Sequence, residues 1–211
     1  AQIGRQGWRR LDLAAAAAEA GLDLARTRAR FPGRCALLLR FGTMVDQAAL
    51  TGAATEGPTA ENGVRDRLFD MLMRRIDALQ THRAGVVALL AALPADPPSA
   101  LLLGAASLRS MAWMLRGAGA SAAPPLGLLR AKALLAVWLW TVRAWQRDSS
   151  EDLSATMAAL DLALSRAERA ESWLHRARPE PQAEPGPEPG PEPEPLPDPP
   201  PTPPADPAPP G

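Results

Sequence analysis

Four arginines crowd the stretch from Arg26 to Arg34: Arg26, Arg28, Arg30 and Arg34. A guanidinium group is permanently charged and planar, and it can grip phosphate oxygens or the acceptor edge of guanine with two parallel hydrogen bonds. If the stretch is helical, Arg26 and Arg30 share one face as an i, i+4 pair. Arg28 lies about 200° from its neighbours in the set and falls on another side. The spacing therefore assigns Arg26 and Arg30 to base edges or flanking phosphates, and Arg28 to the nucleic-acid backbone. Arg34 and Arg10 are expected to position phosphates. Asp23 and Thr27 belong to the same contact surface. Residues 1–44 hold eight arginines against Asp12, Glu19 and Asp23, a basic balance that fits a nucleic-acid partner. The bland alternative is a solvated arginine-rich surface.

The surrounding residues must position these side chains. Leu11, Leu13 and the alanines to Ala20 predict a short helix whose small side chains permit close packing. Gly21 can adopt the positive φ that ends it. Asp23 stands where an N-cap belongs, ahead of a second helix over Leu24–Arg30. Phe31-Pro32-Gly33 stops that helix, because a residue before proline avoids the α region. Arg34 opens a third. Two short helices joined by a tight turn form the helix-turn-helix arrangement, which offers its second helix to the major groove.

Ala20-Gly21-Leu22-Asp23, Phe31-Pro32-Gly33-Arg34 and Ala36-Leu37-Leu38 resemble the N-terminal signature of the TetR family of bacterial transcriptional regulators. A weaker likeness extends to about Trp173. The resemblance implies a homodimer on a palindromic double-stranded DNA operator, with a helical body that takes an apolar small-molecule effector. Asp23 stands where the family usually has serine, Arg28 where a tyrosine touches phosphate, and Thr27 at a usually apolar position. These departures imply altered contacts. A full helix precedes the Gly7-Trp8 position in such proteins, whereas residues 1–10 supply only a stub. The chain also resembles the TetR-fold, lipid-binding proteins of ubiquinone biosynthesis, at Arg65-Asp66-Arg67, Arg130–Lys132, Trp145, Asp148-Ser149 and Met157–Asp161. That branch implies a lipid or isoprenoid carrier without operator binding. An interaction module working through the proline-rich tail is a third class.

Composition favours an all-α fold: alanine and leucine abound, and strand-type alternation is nearly absent. The expected domains are a head over residues 1–46, a ligand-binding and dimerisation body over 47–178, and a tail over 179–211. The tail holds 17 prolines, seven acidic residues and no basic ones. Such a segment is expected to be disordered, because it buries too little to offset its ordering entropy. Within the body, helices are expected over Arg34–Ala54, from near Asn62 to Leu79, and over Arg83–Leu93, Ser99–Leu115, Pro125–Arg147 and Leu153–Arg176. Thr55–Gly63 and Ala118–Pro125 should be loops. On the first of these helices Leu37, Leu38, Phe41, Met44, Val45 and Ala48 should face inward. On the second, Arg65, Asp66, Arg74, Arg75 and Asp77 should lie mainly away from the apolar side. A serine cap with acids behind it should open the last helix after Asp148.

Met71, Met111, Trp113, Met114 and Trp138 could enclose an apolar ligand, or they could simply pack a core. The stretch Ala133–Trp145 is apolar on nearly every side, so one face can serve the core and another is left over. The two helices 126–147 and 153–176 are therefore the expected dimer surface. Cys35 is the only cysteine and reads as a small core residue. No metal-ligand cluster, cofactor loop or catalytic constellation stands out, which argues against an enzyme. The longest apolar run is shorter than the roughly 20 residues of a membrane helix, and the expected location is the cytoplasm.

Overall fold

The computed structural model describes residues 2–55, 63–120 and 126–176, and these are helical throughout, with no strand among them. The helices are α1 (Gln2–Gln6), α2 (Leu13–Glu19), α3 (Leu24–Arg30), α4 (Arg34–Thr55), α5 (Val64–Gln80), α6 (Arg83–Ala92), α7 (Pro97–Gly117), α8 (Leu126–Arg147) and α9 (Ser154–Arg176). Single 3-10 turns cover Trp8–Arg10 and Leu93–Ala95. Residues 1–175 form one compact unit, and the second, from Arg176 onward, lies outside the described residues apart from Arg176 itself. The disorder expected of the tail therefore falls outside the described residues, as do most of the loops expected over 55–63 and 118–125.

Local chemistry explains most boundaries. Asp12 caps α2, its Oδ1 accepting from Ala14 N at 2.8 Å. Gly21 ends the unit with φ +66°, and Leu22 N closes back onto Ala17 O at 2.9 Å. That six-residue closure needs a left-handed residue, which glycine supplies without a Cβ clash. Helix α7 starts before the expected Ser99, with Pro97 and Pro98 in its first positions. Their missing N–H groups cost nothing there. Asp96 caps that helix, accepting from Ser99 N and Ser99 Oγ. At the start of α9 carboxylates replace the expected serine cap. Asp152 accepts from Ser154 N, and Asp148 accepts from both Thr156 N and Thr156 Oγ1. Leu153, directly after Asp152, takes φ +55°, a strained setting for a branched side chain that its burial in the core holds in place.

Packing sets two apolar centres. The larger runs through α4, α5, α7, α8 and α9, with Val45, Met71, Ile76, Met111, Trp145 and Leu160 almost wholly enclosed. The smaller gathers Trp8, Leu38 and Leu89, with Ile3 and Leu11 against them. The N-terminal stub thus packs on α6, where Gly4 and Gly85 permit close approach to Ala84 and Ile3. Trp8 is 1% exposed, and its Nε1 donates to Asp96 Oδ2 at 3.1 Å.

Three expectations about helix faces are corrected. On α4 the buried stripe is Leu38, Val45 and Ala49, while Met44 and Ala48 face solvent, because α5 and α7 flank that helix. Cys35 is exposed, since no neighbouring element covers that side of the first turn of α4. Arg75 is buried, at 5% exposure. It falls at helical spacing on the stripe Leu68, Leu72, Leu79, so the fold draws it inward.

Candidate nucleic-acid interface and ligand cleft

The first arginine group is carried by α3. Asp23 Oδ1 accepts from Arg26 N at 2.8 Å, and Thr27 Oγ1 donates to Asp23 O at 2.8 Å. Asp23 and Thr27 therefore spend their polar atoms on the first turn of the helix. Helix α3 buries none of its residues, and Leu22 and Leu24 stay more than half exposed. Arg26 and Arg30 come together as their spacing requires. With Phe31 and Arg40 of α4 they line an open concavity of about 590 Å³. Among the described residues these three arginines make no ion pair and no side-chain hydrogen bond, and neither does Arg28, which is exposed outside the concavity. Three unneutralised guanidinium groups around one hollow form a ready anion site. Arg40 was not singled out in the sequence, because it sits one helix further on.

Arg10 is exposed on the 3-10 turn after Trp8. Arg34 is placed differently from its expected role. Its Nη1 donates to Arg9 O at 3.1 Å and reaches Trp8 O at 3.5 Å, and its guanidinium lies 5.9 Å from the Trp8 ring. It ties the start of α4 to the N-terminal segment.

The second site is a cleft of about 540 Å³ between α4 and α7. Its floor holds a buried ion pair, with Arg75 Nη2 3.1 Å from Asp46 Oδ1. Ser110 Oγ donates to Asp46 Oδ2. The Arg75 guanidinium also lies 4.5 Å from the Trp138 ring and contacts Met114 Sδ. Its Nε has no hydrogen-bond partner among the described residues. Burial pushes Arg75 below the ordinary arginine value, and the Asp46 charge pulls it back up. Asp46 keeps 22% of its side chain accessible from the cleft.

Of the five expected ligand contacts, Met114 lines the cleft, and Trp113, 56% exposed, stands at its rim. Met71 and Met111 are core packing. Trp138 is also in the core and meets the cleft through Arg75. Asp46, Arg75, Arg109 and Ser110 were missed. For Arg75 the signal was present in its place on an apolar stripe.

The positions that resemble the lipid-binding branch hold helices together. Arg65 pairs with Asp161 and donates to Ser165, joining α5 to α9. Arg130 pairs with Glu171 and joins α8 to α9. Trp145 Nε1 donates to Gln80 Oε1 at 2.8 Å, and Arg83 over the Trp145 ring donates to the carbonyls of Trp145 and Asp148. Helix α8 buries Leu134, Trp138, Thr141 and Trp145, and it leaves Leu128, Leu129, Leu139 and Trp140 exposed. Among the described residues there is no metal-binding group, and no single helix is long and apolar enough to cross a membrane. No family, characterised protein or solved structure matches the chain.

Proposed function

We propose that the chain is a ligand-responsive DNA-binding regulator of TetR type, acting as a homodimer on a palindromic operator. One observation carries the reading: the capped α2–turn–α3 unit presents Arg26 and Arg30 on one open face, joined by Arg40, with no carboxylate paired to them among the described residues. Read this way, α2 and α3 are the helix-turn-helix and α3 enters the major groove. Helix α4 carries Arg40 at one end and Asp46 of the cleft further along, which gives an effector a mechanical route to the head. Met114 and Trp113 serve the effector, while Met71, Met111 and Trp138 support it from the core. The exposed apolar residues of α8 and the adjoining face of α9, with Leu162 and Trp173 exposed, are the dimer surface. A large exposed apolar patch calls for a partner.

Selection from randomised duplex DNA is the test. Enriched sites should be inverted repeats. Arg26→Ala and Arg30→Ala should each weaken binding by about 1–3 kcal/mol on the enriched site and by less on random DNA. Equal weakening on both would reduce them to phosphate contacts. Light scattering should give twice the chain mass, and Trp140→Glu with Leu139→Glu should halve it. The carrier reading is favoured by the sparse anchoring of α3, which buries no residue. A monomeric chain that enriches no DNA at low salt would select it.

A further inference from the structure

The cleft between α4 and α7 has an unusual charge arrangement. Among the described residues, its charged lining groups are Asp46, Arg75 and Arg109. Asp46 and Arg75 form an ion pair and cancel. Arg109 lies on α7 within the cleft lining and is exposed, and among the described residues it makes no ion pair and no side-chain hydrogen bond. The cleft therefore carries one uncompensated positive charge. Its walls are mainly apolar, with Leu39 and Leu50 from α4 and Leu102 and Ala106 from α7, and Thr43, Gln47 and Ser107 add neutral polar groups. The volume of about 540 Å³ lies within the roughly 300–1,000 Å³ of small-molecule sites.

We propose that this cleft takes a single-chain, monoanionic amphiphile, with its carboxylate on Arg109 and its hydrocarbon body between α4 and α7. The proposal rests on reading the cleft as the effector site. One negative charge completes the balance set by the three lining groups. A cation adds to the unneutralised guanidinium, and a dianion brings one charge more than the described lining groups offset. A neutral chain fills the walls but leaves Arg109 without its charge-assisted hydrogen bond. Arg109 shares a face of α7 with Ala105, one turn before it, so the head group and the first part of the chain meet the same helix.

Calorimetric titration of the full chain with decanoate, decanol and decylammonium, each below its aggregation concentration, tests the proposal. Decanoate should bind one per chain, about three- to fivefold tighter than decanol, with decylammonium weakest. Arg109→Gln, a surface change, should weaken decanoate by about three- to fivefold and leave decanol unchanged. Ala105→Trp, at an exposed cleft-lining position, should block both. If decanol binds as tightly as decanoate, or Arg109→Gln has no effect while Ala105→Trp blocks binding, the anionic assignment fails and the cleft reading survives. If neither compound binds, or Ala105→Trp leaves both unaffected, the cleft reading fails as well.

Discussion

Removing one member of the Asp46–Arg75 pair should cost more than removing both. Asp46→Leu leaves the Arg75 cation 5% exposed, with the Trp138 face and Met114 Sδ as its remaining contacts. Breaking a buried pair this way costs about 3–5 kcal/mol, and the low end applies because the Trp138 ring stays beside the cation. The net expectation is about 3 kcal/mol, or roughly 6–12 °C in thermal midpoint for a chain of this size. Arg75→Met keeps the stem against Trp138, and the Asp46 carboxylate, 22% accessible, can take water from the cleft. That change should cost about 1–2 kcal/mol. The double variant Asp46→Leu, Arg75→Met should lie within about 1 kcal/mol of the parent, since apolar groups of similar volume often replace a buried pair without loss. Denaturant unfolding of the four proteins gives the coupling energy. Additive single effects, or two single variants within about 0.5 kcal/mol of the parent, would refute the claim that the buried pair forms one unit.

The N-terminal segment should be integral to the body: Trp8→Ala should destabilise by about 3–5 kcal/mol, whereas Trp8→Phe, which loses mainly the bond to Asp96, should cost far less. Matching losses would mean that the ring packing matters little. Asp23→Ala removes the cap on α3 and should cost about 1 kcal/mol locally, seen as faster amide exchange over residues 26–30 with little change in global unfolding. The Asp148 carboxyl is held well below the usual carboxylate range by hydrogen bonds from Ser150 and Thr156. A depressed carboxylate contributes stability that is fully present above its unfolded value of about 3.9 and is lost as pH falls toward the folded value. The thermal midpoint should therefore drop on acidification below about pH 4, and Asp148→Asn should flatten that drop. An equally steep fall in the variant would assign the acid sensitivity elsewhere.

What the sequence determined by itself was local. Gly21 and Asp23 place the ends of α2 and α3, because a left-handed closure and an N-cap each involve only a few neighbouring residues. Leu126–Arg147 likewise emerges with the bounds its apolar run indicates, and its surplus apolar face is exposed. The pairing of Arg26 with Arg30 follows from helical spacing alone. What each helix faces was decided by the tertiary structure. Met44 and Cys35 are as apolar as their neighbours, yet they stay exposed because no described helix crosses over them. Trp113 sits at a cleft rim while Met111, two residues earlier, is enclosed. Arg34 bonds to carbonyls of the N-terminal segment, a contact no local pattern contains. Arg75 shows the division most sharply. Its position on an apolar stripe was visible in the sequence. Its burial as a cation became tolerable only when α4 supplied Asp46 and α8 supplied Trp138, because a desolvated charge persists only beside groups that compensate it.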